Sequence, residues 1–372
     1  MQLAVRMAER GLGTTAPNPS VGAVLVRYDV DPSGIVVARG WTQPGGRPHA
    51  ETEALRAAGE AARGATLYVT LEPCSHHGKT GPCAQAVIAA GVARVVVGIE
   101  DPDARVSGRG LAMLRAAGVE VVTGVEVAAC RWVTLGHILR ITERRPMVTV
   151  KMALTAGLSV PQGRDGQPSF VTCPEARAAG HLLRTQSDAI LVGSGTVTDD
   201  DPDLTCRLPG LANRSPKRIV LDGRLRALTP ATKLARTARD VPVWVMTTAE
   251  APHDRRLALE AMGVRVSVVD SVNGRPDLDT IVHLLADDGL TRLLVEGGRT
   301  VWSAFAARHV LDEAVVFVQW NRDVSETWGK GMFNEPITFA RFTRLSSAPP
   351  MERIEQGSIG SDRYVRFKRS NS

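Results

Sequence analysis

The chain has 372 residues, 44% hydrophobic and 23% charged, and a net charge of +6. That length suits two soluble globular domains, and no apolar run is long enough to span a bilayer or reads as a signal peptide, so a cytoplasmic protein with no membrane partner is expected. Aromatic residues make up only 4% and the arginines are spread without a basic block, which argues against a nucleic-acid stacking surface and for anionic, phosphorylated small molecules as ligands.

The opening "MQLAVRMAERG" reads as an amphipathic helix. Strand and helix patterns then alternate: strand 21–27, helix 51–62, strand 65–71, helix 83–91, strand 93–99, helix 108–118 and strand 119–125. Short apolar runs between amphipathic helices imply a layered α/β sheet. The polar "TERRP" over 142–146 marks a domain boundary. Beyond it the alternation resumes with strand 147–154, helix 174–184, and strands at 188–193, 217–223 and 241–248. Helix 253–263, strand 264–270, helix 277–289, strand 291–298, helix 300–310 and β-like pieces at 313–320 and 363–369 complete it, with an exposed loop at 210–216.

Five cysteines, an odd number, do not suggest a disulfide framework in such a chain. Cys130, Cys173 and Cys206 are expected to be small buried or half-buried residues. Cys74 and Cys83 are different, because they bracket "SHHGKTGP" between a strand and a helix, downstream of "PHAE". One imidazole (His49) and two thiols (Cys74, Cys83) match a catalytic zinc site whose fourth position is left for water. Zinc lowers the pKa of coordinated water toward neutrality. Glu51, two residues from His49, is placed to move a proton from that water to a departing nitrogen. His-x-Glu followed by Pro-Cys-x-x-Cys is the signature of zinc deaminases, although here eight residues separate the cysteines. A redox pair would lack the short Cys-x-x-Cys spacing and leave His49 and Glu51 unexplained. A structural zinc would take His76 or His77 as a fourth ligand.

The segments "APNPSVGAVLV", "PHAE", "TLEPCSHHGKTGPC" and "GVARVVVGIEDPD" resemble the bifunctional deaminase–reductases of riboflavin biosynthesis, and the resemblance runs over nearly the whole chain. It implies a cytidine-deaminase-like three-layer α/β/α domain over 1–144 and a dihydrofolate-reductase-like α/β domain over 145–372. It implies hydrolytic deamination of 2,5-diamino-6-(5-phosphoribosylamino)pyrimidin-4(3H)-one, then NADPH-dependent reduction of the ribosyl group to ribityl. One Zn2+ per deaminase domain would rest on His49, Cys74 and Cys83, with Glu51 as proton shuttle. Residues matching the family's deaminase substrate contacts are Asn18, His76, Lys79, Thr80 and Asp101. In the second domain, Arg184, Leu204, Arg207 and Glu296 match substrate positions, the arginines as phosphate clamps and Glu296 toward ribose hydroxyls. Phe170, Thr172, Gly193, Gly195, Thr196, Asp200, Gly297 and Gly298 match the NADPH site. A homo-oligomer, dimer or tetramer, is expected.

The reductase half departs from the family pattern in two places. "LTAGLSV" keeps Gly157 but lacks the usual aspartate before it. "PSFVT" puts Pro168 and Phe170 where a serine and a tryptophan are usual, so a hydroxyl and an indole donor are lost. An active deaminase carrying a weakened or non-catalytic reductase domain is therefore the alternative.

Overall fold

The computed structural model describes residues 1–76, 81–104, 106–161, 169–320, 339, 342 and 349–370. The chain divides into two compact units: 1–146 with 286–291, and 147–285 with 292–372. No described helix is long and apolar enough to cross a membrane.

The first unit contains α1 (Gln2–Glu9), β1 (Gly22–Arg27), β2 (Ile35–Trp41), α2 (Ala50–Ala58), β3 (Thr66–Leu71), α3 (Cys83–Ala89), β4 (Arg94–Ile99), α4 (Arg109–Ala116), β5 (Glu120–Thr123) and α5 (Val127–Thr142). Its sheet runs β2-β1-β3-β4-β5, with β1 antiparallel to both neighbours and β3, β4 and β5 parallel. Period-two alternation sends the two faces of β1 to different layers. Ala23 and Leu25 pack with Ala54 of α2, Val87 of α3 and Leu114 of α4. Val24 and Val26 pack with Ala4 and Met7 of α1, and Val133 of α5 joins Ala8 and Leu12 on that side. The result is the three-layer α/β/α arrangement. Cys130 is fully buried and explains Gly98: a Cβ there would lie 2.3 Å from the Cys130 sulfur, so α5 sits directly on β4.

The expected helix 51–62 is shorter. α2 ends at Ala58, Gly59 adopts φ 53°, and a separate 3-10 turn covers Gly59–Ala62. Glycine tolerates that left-handed φ and so stops the helix where the apolar periodicity alone continues.

The second unit contains β6 (Met147–Leu154), α6 (Pro174–Thr185), β7 (Ala189–Gly193), α7 (Ser194–Asp200), β8 (Lys217–Leu221), α8 (Lys233–Arg236), β9 (Val243–Thr247), α9 (His253–Ala261) and β10 (Arg265–Val268). The small hairpin β11 (Ser271–Val272) and β12 (Arg275–Pro276) follows, then α10 (Leu278–Asp287), β13 (Arg292–Val295), α11 (Arg299–Ala307), β14 (Glu313–Val318), β15 (Met351–Ile359) and β16 (Asp362–Arg369). Nine of these strands form one sheet in the order β10-β9-β8-β7-β13-β6-β14-β16-β15. It is parallel from β10 to β14, and β16 and β15 add antiparallel at the edge. A parallel sheet is covered on both faces, which is why "AILVG", "VWVMT" and "EAVVFV" are almost wholly apolar and are buried at every residue.

Candidate functional site

Two helix starts meet the end of β3 to form the first site. His49 occupies the N-cap position of α2, where its carbonyl accepts the Glu53 N–H at 3.1 Å and its ring is left to face the cysteines. Cys83 is the first residue of α3, and its backbone N–H, one of the unpaired amides of a helix start, donates to the Cys74 sulfur at 3.3 Å. The His49 Nδ1 lies 3.2 Å from the Cys83 sulfur and 3.7 Å from that of Cys74. All three donor atoms fall within 4.8 Å of one another.

The electrostatics point to a cation. Donation from the Cys83 thiol, and then the His49 ring and the Cys83 amide, hold the Cys74 thiol down at about 4. The Cys83 thiol is pushed up because it donates to Cys74, because it is buried, and because Glu51 stands beside it. His49 is raised, first by its hydrogen bond with Cys74. A second thiolate is disfavoured here unless a positive ion offsets the first, and one nitrogen with two sulfurs is the donor set of a zinc site with an open position. Glu51, on the first turn of α2, is 4% exposed, and burial raises its carboxyl to about 7.

The other first-unit residues sit at known places. Asn18 is tied to the turn before His49, its side-chain amide donating to the Gly46 carbonyl at 2.8 Å. Gly46 has φ +81° and would clash with Asn18 at 2.7 Å if it carried a Cβ. His76 follows Cys74 by two residues, and its buried Nδ1 has no partner among the described residues. Asp101 is 8% exposed, accepts the Asp103 N–H at 2.9 Å, and stands 3.2 Å from the His137 Nε2. Lys79, Thr80 and His77 lie outside the described residues.

The second site is a groove of about 2000 Å³ at the carboxyl ends of β6, β7, β8 and β13, the edge at which open parallel sheets bind ligands. Each expected reductase-half residue lines it: Arg184, Leu204, Arg207 and Glu296; Phe170 and Thr172; and Gly193, Gly195, Thr196, Asp200, Gly297 and Gly298. At its centre Arg184 grips Glu296 with two N–H groups, Nε to Oε1 at 2.8 Å and Nη2 to Oε2 at 2.9 Å, and gives a third to the Thr205 carbonyl. The paired donors of Arg184, expected on a phosphate, lie here on a buried carboxylate. Arg207 is half-exposed, with Asp203 at 3.8 Å as an ion-pair partner. Lys151 of β6, which the sequence pattern does not single out, also reaches Glu296 at 3.3 Å. Burial alone would raise Glu296, but Arg184 and Lys151 together hold it well below the usual carboxylate range.

The glycines divide into two kinds. A Cβ on Gly193 or Gly297 would lie 2.8 Å from Val301, so these two let α11 approach the sheet, whereas Gly195 and Gly298 face open space. Asp200 is raised by burial and by Asp199, and one of its oxygens is buried with no partner among the described residues. Phe170 is 61% exposed, with the Arg177 guanidinium 5.3 Å from its ring centre. Where the aspartate is missing, Thr155 and Ser159 close a turn with the Thr155 N–H on the Ser159 carbonyl, and Leu158 takes φ 57°. Pro168 lies outside the described residues.

Comparison with known proteins covers both units. Residues 1–99 match the cytidine and deoxycytidylate deaminase zinc-binding region, and residues 146–319 match the RibD C-terminal domain. The riboflavin biosynthesis protein RibD of Escherichia coli K12 is 36% identical, with 97% of this chain and 96% of that protein aligned. That of Aquifex aeolicus VF5 is 38% identical over 99% and 97%. The Acinetobacter baumannii RibD structure superposes with a TM-score of 0.80 at 31% identity, covering 100% of this chain and 98% of that one. A Thermotoga maritima diaminohydroxyphosphoribosylaminopyrimidine deaminase/5-amino-6-(5-phosphoribosylamino)uracil reductase gives 0.79 at 31% identity, covering 100% and 97%. Nothing in these relationships favours a non-catalytic second domain. The chain belongs to the RibD family of riboflavin biosynthesis, and is an enzyme that joins a zinc-dependent deaminase to an NADPH-dependent reductase.

Proposed function

We propose that residues 1–144 deaminate 2,5-diamino-6-(5-phosphoribosylamino)pyrimidin-4(3H)-one to the corresponding uracil with release of ammonia, and that residues 145–372 then reduce its ribosyl group to ribityl with NADPH. The observation that carries this reading is the convergence of His49, Cys74 and Cys83 within 4.8 Å, beside the buried Glu51. Zinc held on these three donors supplies Lewis acidity that makes water nucleophilic near neutral pH. Glu51 takes the proton from water and delivers it to the leaving nitrogen, and its burial keeps bulk solvent from competing. Asn18 and Asp101 hydrogen-bond the flat polar ring, and the family resemblance adds His76, Thr80 and, as a point charge for the phosphate, Lys79.

In the reductase half, NADPH supplies the hydride, and the chain's part is to hold the two ligands in line. Phe170, Thr172, Gly193, Gly195, Thr196, Asp200, Gly297 and Gly298 are the cofactor wall. Glu296, oriented by Arg184, meets the ribose hydroxyls, and Lys151 is the cationic donor beside it. Leu204 packs on the substrate, and the phosphate falls to Arg207. The same reading has a cytoplasmic homo-oligomer, dimer or tetramer, with no nucleic-acid or membrane partner.

The test is incubation of purified protein with the diaminopyrimidine phosphate, with and without NADPH, following ammonia and product mass separately. Ammonia without NADPH and a gain of two hydrogens with it are expected; no ammonia, or ammonia with no NADPH-dependent mass change, would contradict one half or the other.

Three substitutions refine the assignment. Cys74→Ser or Cys83→Ser should leave less than one zinc per chain by elemental analysis, because the thiolate donors are what the ion prefers. Arg207→Ala should raise the reductase KM about tenfold or more through the lost charged hydrogen bond, with unfolding little changed because the side chain is exposed. An unaltered KM would remove Arg207 from the phosphate site.

A further inference from the structure

Glu72 stands two residues before Cys74 and is 3% exposed. Its backbone N–H donates to the Ile99 carbonyl at 3.0 Å, extending the β3–β4 ladder by one step. Its carboxylate gathers four backbone amides: Gly110 at 2.9 Å and Leu111 at 3.3 Å on Oε1, Gly108 at 2.9 Å and Asp101 at 3.3 Å on Oε2. The start of α4 is pressed onto the same segment, since a Cβ on Gly110 would lie 2.0 Å from the Pro73 carbonyl oxygen. Asp101 and the start of α4 are thus bound to the strand end that carries Cys74. Asp101 is held at both ends, its amide on Glu72 and its carboxylate near the His137 Nε2 at 3.2 Å.

We propose that Glu72 is a positioning residue for deamination: by clamping Asp101 and the start of α4 to the segment carrying Cys74, it sets where the Asp101 carboxylate meets the pyrimidine ring. This rests on the reading of Asp101 as a ring contact. A carboxylate has lone pairs enough for four N–H groups and no hydrogen of its own. A glutamine amide keeps one oxygen and turns an NH2 group toward two of the donors, leaving buried amides unpaired. The acidic side chain also suits a helix start, but helix capping alone would lower stability without selectively weakening the substrate.

The test uses the full-length zinc-loaded enzyme with Glu72→Gln, Asp101→Asn and the double variant. Deaminase KM and kcat are read by ammonia release, and reductase turnover of supplied intermediate is the internal control. Glu72→Gln should raise the deaminase KM about tenfold or more with kcat changed less than about threefold. Zinc content and reductase rate should stay at wild-type values, and the double variant should be no worse than Asp101→Asn alone. An unchanged KM in Glu72→Gln, with KM raised in Asp101→Asn, would overturn the proposal and leave the Asp101 reading standing. An unchanged KM in Asp101→Asn would overturn that reading. If Glu72→Gln does not fold, amide hydrogen exchange on the wild-type enzyme decides. The Asp101, Gly108, Gly110 and Leu111 amides should be protected as one group and slowed further by the deaminated product; fast exchange, or no response to product, would overturn the clamp.

Discussion

Replacing Glu51 by glutamine should reduce ammonia release by about 10²–10⁴-fold while zinc stays at one per chain. Glutamine keeps the size and the polar atoms of glutamate, so the first turn of α2 and the His49 backbone beside it have no reason to move. What it loses is the ability to accept a proton from water and pass it on. Glu51 is 4% exposed, so bulk water cannot readily take over the transfer. The reductase rate on supplied deaminated intermediate should be unaltered. Steady-state ammonia release and metal analysis on one preparation check both points. Undiminished release would take Glu51 out of the chemistry, and a loss of zinc would make it a support of the site rather than its proton carrier.

The largest effect expected in the second unit comes from Glu296→Gln. Glu296 is the anion that Arg184 and Lys151 share, with a side chain 7% exposed. Neutralising it leaves two cations facing each other in a poorly solvated wall, and removing one partner of a buried ion pair costs about 3–5 kcal/mol. Reductase turnover should fall at least about a hundredfold with the loss of the oriented carboxylate, while ammonia release persists. The wild-type pH profile follows from the same cluster. The folded-state pKa of Glu296 lies well below its unfolded value, so the folded chain sheds this proton more readily. Its stabilisation is therefore full above the ordinary carboxylate range of about 4.3 and is lost as pH falls below it. Thermal unfolding of wild type should show that loss on acidification, and Glu296→Gln should flatten it. A variant as stable and as acid-sensitive as wild type would show that the cluster contributes nothing.

What could be read from the sequence follows the physics of each element. β6 stands out in "MVTVKMAL" because a strand covered on both faces is a mostly apolar run, here broken by Thr149 and Lys151. α5 leaves no such mark: from Val133 to Leu139 every residue is buried, so there is no polar face to set a 3.6-residue period. α7 is hidden for the opposite reason, since "SGTVTDD" holds few helix formers and one buried side chain, Val197. β2 and β15 are edge strands with many exposed positions, and charges interrupt their alternation.

The sites divide in the same way. His49, Cys74 and Cys83 are legible because soft donors beside a proline or at a helix start have few other reasons to cluster. Lys151 looks like an ordinary lysine on a pleat, and only the sheet order brings it to Glu296, 145 residues away. Glu72 was missed because its partners are backbone amides, which no side-chain pattern announces. Arg184 shows the limit from the other direction: it lines the groove, but its partner within the fold, Glu296, is 112 residues away and cannot be seen from spacing. Of the two departures, the one at Phe170 lines the same groove as the Arg184–Glu296–Lys151 cluster.

X-ray absorption at the zinc edge of the purified, ammonia-releasing enzyme reads the first site most directly. Two sulfurs at about 2.3 Å and one imidazole nitrogen at about 2.0–2.1 Å, with one further light atom, are expected. A shell without sulfur, a shell of four protein ligands with no open position, or full activity in protein containing no zinc would contradict the account.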